Sequence, residues 1–121
     1  MDRRLGALES KFADIIWENE PLSSSRLVGL AGEKLGWKKS TVYTVLRRLC
    51  EKGLFRNENG AVTVLVDKAS YEEGQSRQFV TESFGGSLPA FLAAFTARKK
   101  LSDKEIAELQ KLIDEAKEAK E

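Results

Sequence analysis

The stretch from Lys38 to Arg48 combines apolar side chains with side chains that hydrogen-bond or carry positive charge. The apolar residues of this stretch, together with Leu49 directly after it, follow the i, i+3, i+4, i+7 spacing of one helix face: Val42, Val45, Leu46 and Leu49. The opposite face carries hydroxyl groups, a tyrosine ring and two arginines, and no acidic residue. Hydroxyl groups can bond to the edges of bases, and arginine can bind phosphates. The pattern therefore indicates an amphipathic helix whose polar face is suited to bind nucleic acid.

Two classes of contact to double-stranded DNA are predicted from this face and its neighbours. Contacts to base edges are predicted for Ser40, Thr41, Tyr43 and Thr44. Contacts to phosphates are predicted for six basic residues: Lys38, Lys39, Arg47, Arg48, Lys52 and Arg56. Residues 26–56 contain eight basic and two acidic side chains, although the whole chain has a formal net charge of only +1. The positive charge is thus concentrated where the predicted phosphate contacts lie.

The elements around this helix are predicted to be two helices before it and a β-hairpin after it. A first helix is predicted over residues 7–18, and a second extends from an N-cap at Ser23 or Ser24 to Lys34. Gly53 stands where the third helix ends in a left-handed cap. Strands follow at 54–56 and 61–66, and the turn between them contains the Asn-Gly pair that favours hairpins. Three short helices and a hairpin form a winged helix-turn-helix, so residues 1–68 are predicted to be a DNA-binding domain.

Residues 69–121 are predicted to form a helical dimerisation domain, which makes the fold class mainly α with a small β-hairpin. Capping boxes at Ser70 and Ser102 and an N-cap at Ser87 mark three helix starts. The apolar surface of these helices is larger than so short a segment can bury by itself. A two-fold homodimer is therefore predicted, and the alternative is that the helices fold back on the winged helix of the same chain. The dimer contacts are predicted for Phe79, Phe84, Leu88, Phe91, Leu92, Phe95, Ile106, Leu109, Leu112 and Ile113.

The absence of histidine and the presence of one cysteine restrict the chemistry of the chain. Without histidine there is no His-containing catalytic triad or His metal site, and Cys50 alone cannot form a cysteine-rich metal site. No glycine-rich phosphate loop occurs. We therefore predict no enzymatic activity, no metal and no cofactor. The sequence also has no apolar run of the ~18 residues that span a membrane and no signal peptide, so a cytoplasmic location without direct membrane binding is predicted.

Over nearly its full length the chain resembles the penicillinase repressor family of bacteria, the BlaI/MecI/CopY type. The matching segments are the opening LESKFADIIWE, the run STVYTVLRRLCEKGLFRNENG, and the tail from FGGSLPAFLAAF through LSDKEIAELQKLI. The middle run is specific, because a generic winged helix would not also supply the FGG and L-[ST]-x-x-E-I-x-x-L segments at these distances.

The resemblance implies a dimeric repressor that binds palindromic operators upstream of resistance genes. In the antibiotic branch it implies a second partner, a membrane sensor protease that detects a β-lactam and relieves repression, after which the repressor is cleaved in its dimerisation arm. The usual cleaved bond is Asn-Phe, and the aligned pair here is Ala94-Phe95. Thr41, Thr44 and Arg48 match the residue types usual in the family's recognition helix.

A further feature separates this chain from one branch of the family. The copper-responsive branch has a cysteine-rich C-terminus, whereas this chain ends in KEAKE, so the resemblance does not imply copper sensing. Glu58 is predicted at the tip of the wing, where a carboxylate repels phosphates, and we expect it to point away from them.

Two alternative functions remain open at this point. The winged helix could serve protein contacts without binding DNA, although an apolar recognition surface would then be expected. The protein could also be a regulator that responds to a small ligand, which would bind among the C-terminal aromatic residues Phe79, Phe84, Phe91 and Phe95.

Overall fold

A computed structural model describes residues 2–119, which form six α-helices and three short strands. In chain order the elements are α1 (Ala7–Glu18), β1 (Leu22–Ser23), α2 (Ser24–Leu35), α3 (Lys39–Glu51), β2 (Phe55–Glu58), β3 (Ala61–Val64), α4 (Lys68–Phe84), α5 (Leu88–Thr96) and α6 (Asp103–Glu118). They divide into two compact units, the first ending at Gln78 and the second beginning at Phe79. The predicted division into a DNA-binding domain (1–68) and a dimerisation domain (69–121) stays a prediction. No helix within residues 2–119 combines the length and the apolar character needed to cross a membrane.

The first unit is built around an apolar core to which α1, α2, α3 and all three strands contribute. The buried apolar side chains are Phe12, Ala13, Ile15, Ile16, Leu22, Leu27, Ala31, Val42, Val45, Leu46, Leu49, Leu54, Phe55 and Val62. All four apolar residues predicted for the inner face of α3 belong to this core. In the turn before α3, Trp37 stacks on Phe12 with ring centroids 5.2 Å apart. The core therefore holds α3 with its polar face outward.

The wing is the hairpin β2–β3, and β1 pairs with the other side of β3 in a three-stranded antiparallel sheet. Glu58 lies opposite Ala61, so the turn consists of Asn59 and Gly60 alone. Their φ angles are 51° and 77°, the positive values that a type I′ turn requires. The first strand therefore extends two residues beyond the predicted 54–56, because the turn takes two residues instead of four. Strand β1 was not predicted, since two residues are too few to show alternation.

Helix α4 begins at Lys68, two residues before the capping box predicted at Ser70, so that prediction was wrong. The Asp67 carboxylate accepts a 2.7 Å hydrogen bond from the Ser70 backbone N–H and so occupies the cap position. In the same region the Tyr71 ring lies 5.5 Å from the ring of Trp17 on α1. Contacts with α1 therefore accompany the earlier start of α4.

The second unit contains the end of α4 together with α5 and α6, and its other predicted helix starts are confirmed. Ser87 caps α5 by accepting a hydrogen bond from the Ala90 backbone N–H, and Ser102 forms the predicted capping box with Glu105 at the start of α6. None of its described residues, 79–119, is buried. Its apolar side chains are thus at least partly exposed in a single chain. The predicted fold class, a winged helix followed by C-terminal helices, is confirmed.

Candidate nucleic-acid interface

The recognition helix α3 ends in a hydrogen-bonded cap that turns the chain into the wing. Gly53, with φ of 80°, donates its backbone N–H to the Cys50 carbonyl at 2.9 Å. Leu54 donates to the Leu49 carbonyl at 3.1 Å. These two bonds define a Schellman motif, in which a left-handed residue after the helix is usually glycine. The predicted left-handed cap at Gly53 is confirmed, and it places β2 directly beside α3.

The polar face of α3 forms a continuous exposed surface, which we call the α3 stripe. Its members are Lys39, Ser40, Thr41, Thr44, Arg47 and Arg48. Lys38, which precedes the helix, is exposed as well. The four apolar residues on the opposite side of α3 are at most 7% exposed, so the stripe projects from a helix that is anchored in the core. A helix with this arrangement can enter a major groove without any rearrangement of its own backbone.

The hydroxyl group of Thr44 is already engaged within α3. Its Oγ1 donates a 2.9 Å hydrogen bond to the Ser40 backbone carbonyl, one turn earlier. In this rotamer Thr44 can still accept a hydrogen bond and can present its methyl group, but it cannot donate. The residue is therefore suited to an amino group of adenine or cytosine, or to the methyl group of thymine.

Tyr43 differs from the other predicted base-contacting residues because it is half-buried. Its hydroxyl donates a 3.2 Å hydrogen bond to Oγ of Ser24, the first residue of α2. Ser24 is 6% exposed, and its backbone N–H donates to the Gly60 carbonyl in the wing turn at 2.8 Å. Ser24 thus connects the recognition helix to the wing. Sequence reasoning proposed Ser24 only as an alternative N-cap of α2, a role that the structure assigns to Ser23.

The six predicted phosphate-contacting residues fall into two groups. Five are exposed: Lys38, Lys39, Arg47, Arg48 and Arg56. Lys52 is half-buried, donates from Nζ to the Arg4 backbone carbonyl, and lies 3.8 Å from a carboxylate oxygen of Glu9. Its ammonium group is therefore held within the first unit, whereas the side chains of the other five are exposed to solvent.

The N-terminal segment contributes a basic side chain to the end of α3, a contact that was not predicted from the sequence. The guanidinium of Arg3 donates from Nε to the Lys52 backbone carbonyl at 3.0 Å. Carbonyl groups in the last turn of a helix lack partners within the helix, so a basic side chain there satisfies one of them. The two adjacent arginines near the N-terminus are the only signal of this role, and the bond joins residues 49 positions apart.

The wing and α3 border an open cleft of about 450 Å³. Tyr43, Arg47 and Cys50 line it from α3, and Arg56 and Glu58 line it from β2. The cleft therefore has two guanidinium groups and one carboxylate on its walls, together with apolar side chains and Asn57.

Glu58 lies in this cleft as the partner of Arg56. Its Oε1 is 3.4 Å from Nε of Arg56, two residues earlier on the same face of β2. The expectation that Glu58 points away from phosphates stays a prediction. The structure adds that a guanidinium group, that of Arg56, lies beside its carboxylate.

The single cysteine, Cys50, is half-buried in the wall of this cleft. Burial raises the pKa of its thiol, because the thiolate is less well solvated there than in water. The group is therefore mainly protonated near neutral pH, and a protonated thiol is a weak nucleophile.

The residues predicted for dimerisation all belong to the second unit, and several of them pack together. The Phe91 ring has its centroid within 5.9 Å of those of Phe79, Phe84 and Phe95. Between α5 and α6 runs a largely apolar groove of about 310 Å³, lined by Phe91, Leu92, Phe95, Leu101, Glu105, Glu108, Leu109 and Leu112. Four other residues predicted for dimer contacts are also exposed in the second unit: Phe79, Leu88, Ile106 and Ile113.

The predicted proteolytic pair, Ala94 and Phe95, lies inside α5 and is exposed. The Ala94 carbonyl accepts a hydrogen bond from the Ala97 backbone N–H at 3.4 Å. Hydrolysis of this bond would therefore require local opening of the helix first.

The chain is similar to a described protein family and to several known proteins. The sequence profile of the family described as penicillinase repressor matches residues 5–115. The chain is 28% identical over 116 residues to a protein named penicillinase repressor from Bacillus licheniformis, which covers 93% of this chain and 91% of that protein. It is 23% identical over 114 residues to the methicillin resistance regulatory protein MecI of Staphylococcus aureus (strain Mu50 / ATCC 700699), covering 91% and 93%. It is 27% identical over 103 residues to a 16.5 kDa protein of Latilactobacillus sakei, covering 82% and 70%.

The matched region includes α1, the winged helix and most of α6, and so contains the three segments that carried the resemblance. Proteins of this kind are transcriptional regulators and not enzymes. The chain belongs to the penicillinase repressor family.

Proposed function

We propose that this protein is a dimeric, sequence-specific DNA-binding repressor that occludes a palindromic operator. The observation that carries the proposal is the α3 stripe, a row of hydroxyl and basic side chains on a helix whose other half is buried. Genes of β-lactam resistance or a related response are the proposed targets. This assignment is supported by the names of the relatives, one a penicillinase repressor and another a regulator of methicillin resistance.

Within the stripe we assign different roles to hydroxyl and basic residues. Ser40, Thr41 and Thr44 contact base edges in the major groove, with the threonine methyl groups available to thymine. The exposed lysines and arginines bind phosphates, which sets the register of the protein on the duplex without reading sequence. Tyr43 keeps its proposed base contact through its ring, and Lys52 makes only a weak phosphate contact, because the Tyr43 hydroxyl and the Lys52 ammonium group already bond within the first unit.

The proposed dimer follows from the composition and exposure of the second unit. Phe95 and Leu112 are each 60% exposed, although both line the apolar groove between α5 and α6. Covering this surface with the same surface of a second copy removes it from water and produces two-fold symmetry. Two recognition helices about one helical turn apart, roughly 34 Å, then match the symmetry of a palindromic site.

The proposal is tested by titrating the full-length protein against DNA from upstream of its own gene and against random DNA of equal length, at several salt concentrations. We expect a preference of ~10³-fold or more for one palindromic segment and a steep fall of affinity with salt. Equal affinity for both DNAs would contradict sequence-specific repression. No binding at low salt would contradict the DNA-binding function altogether and favour a protein-contact role for the winged helix.

The two contact classes are separated by Thr41→Ala and Lys39→Ala, because both side chains are exposed at the start of α3. Losing a base contact should cost ~1–3 kcal/mol on the operator and little on random DNA. Losing a phosphate contact should weaken both complexes equally and lower the salt slope by about one. Indistinguishable behaviour of the two variants would show that the division of roles is wrong.

A further inference from the structure

The cleft between α3 and the wing places a carboxylate among the cations proposed to bind phosphates. Arg47 enters it from α3, and Arg56 and Glu58 enter it from β2. Residues two apart on a strand point to the same side of the sheet, so Glu58 cannot leave the neighbourhood of Arg56 while β2 stays paired with β3.

The ion pair itself contributes little to the stability of the free protein. The Arg56 and Glu58 side chains are 55% and 69% exposed, and the contact is a single Nε–Oε1 approach of 3.4 Å. Pairs that are this solvated have small net effects, because water competes for both groups. Any effect on function must therefore come from the negative charge that Glu58 brings to a phosphate-binding cleft.

We infer that Glu58 limits the affinity of this protein for DNA by neutralising Arg56, the phosphate-binding cation of the wing. The inference rests on the proposed function and replaces the expectation that Glu58 points away from phosphates. A phosphate close enough to contact Arg56 also lies within several ångströms of Glu58, so attraction and repulsion largely cancel. The wing then displaces almost no counterion from DNA, although it carries an arginine.

The inference is tested with Glu58→Gln, which keeps the size of the side chain and removes its charge. We expect affinity for operator and for random DNA to rise by about three- to tenfold near 0.1 M salt. The slope of log K against log salt should become steeper by about 0.9, the value for one additional phosphate contact. Both DNAs should respond equally, because a phosphate contact carries no sequence information.

The matched control is Glu73→Gln on α4. Glu73 also forms an exposed ion pair with an arginine, 2.7 Å to Arg77, and the substitution changes the net charge by the same amount. We expect it to change DNA affinity by less than about twofold, since the long-range field of one exposed charge is screened by salt. Thermal unfolding of both variants verifies that they fold.

The dependence on Arg56 is tested by a double-mutant cycle. Arg56→Gln should weaken binding by less than about twofold when Glu58 is present, and should remove the whole gain when Glu58 is glutamine. Equal losses in both backgrounds would show that the two charges act independently and would overturn the inference, as would equal affinities of Glu58→Gln and Glu73→Gln. A wild-type protein without operator preference would instead contradict the proposed function, so the two failures are distinguishable.

Discussion

The hydroxyl of Tyr43 on the recognition helix donates a 3.2 Å hydrogen bond to Oγ of Ser24 at the start of α2. The same serine also contacts the wing: its backbone N–H donates a 2.8 Å hydrogen bond to the Gly60 carbonyl. One buried residue thereby links three parts of the winged helix: the recognition helix, the second helix and the turn of the wing.

Removal of the Tyr43 hydroxyl is expected to lower stability and to leave base preference unchanged. A half-buried hydrogen bond contributes about 0.5–1.5 kcal/mol, so Tyr43→Phe and Ser24→Ala should each lower the free energy of unfolding by about that amount. Their effects should not add, because each removes the same bond. Chemical denaturation of the two single variants and the double variant measures this coupling.

Tyr71→Phe provides the matched control for that cycle. The Tyr71 hydroxyl is also half-buried but accepts from the Leu5 backbone N–H at 3.2 Å, a bond that shares no atom with the Tyr43–Ser24 bond. Its effect should add to that of Ser24→Ala. A change in preference at one base pair upon Tyr43→Phe, without loss of stability, would show that the hydroxyl reads DNA.

Lys52 and Lys39 are expected to behave oppositely when each is replaced by alanine. Lys52 bonds to the Arg4 carbonyl and approaches Glu9, so Lys52→Ala should lower the free energy of unfolding by about 1 kcal/mol and affect DNA binding weakly. Lys39 is exposed, so Lys39→Ala should leave stability within ~0.5 kcal/mol and lower the salt slope of DNA binding by about one. Chemical denaturation and DNA titration of both variants test this prediction. An equal fall of the salt slope of DNA binding in Lys52→Ala and Lys39→Ala would contradict it.

The cap of α4 is expected to make helix stability depend on pH in the acidic range. The hydrogen bond from the Ser70 backbone N–H holds the pKa of the Asp67 carboxyl below its ordinary value of 3.8. A lowered pKa in the folded state means stabilisation that is present above pH ~4 and is lost as pH falls through the folded-state pKa. Asp67→Asn keeps a capping side chain but does not titrate, so its unfolding temperature should fall less steeply than that of the wild type between pH 5 and 2. Parallel curves for the two proteins would contradict this assignment.

Phe95 is expected to hold the proposed dimer together. It is 60% exposed in one chain, and burying a phenylalanine contributes about 1.5–3 kcal/mol. A two-fold interface contains the residue twice, so Phe95→Ala should raise the dimer dissociation constant by about a hundredfold or more. Sedimentation equilibrium measures this constant.

Leu8→Ala is the control for the dimer measurement, because Leu8 is 58% exposed but lies on α1 in the first unit. It should leave the dissociation constant unchanged. A monomeric wild-type protein at high concentration would exclude the proposed dimer, and equal effects of the two substitutions would place the interface elsewhere.

Helix positions in this protein were predictable because their signals are local. Helix α1 has the bounds predicted from the sequence, and the serines at 23, 87 and 102 are observed caps. The Asn-Gly pair predicted the wing turn, since only few residue types adopt positive φ without strain. Each of these signals arises from residues within one or two turns of each other.

The start of α4 could not be predicted from local sequence signals alone. Asp67 and Ser70 are both good capping residues, and the sequence favoured Ser70 because Glu73 completes a capping box. The structure uses Asp67, and Lys68 then lies 3.0 Å from the Asp14 carboxylate while Tyr71 packs against Trp17. Two nearly equivalent local choices were separated by contacts with residues more than 50 positions earlier.

The sequence by itself determined which face of α3 is polar and which is buried, and it therefore identified the candidate DNA-binding surface and the family. It did not determine which side chains on that surface are free to bind. The Tyr43 hydroxyl and the Lys52 ammonium group have partners 19 and 48 residues away, and the neighbour of Glu58 in the cleft depends on the pairing of β2. Helical periodicity is a property of adjacent turns, whereas the occupancy of a donor depends on which distant segment the folded chain brings beside it.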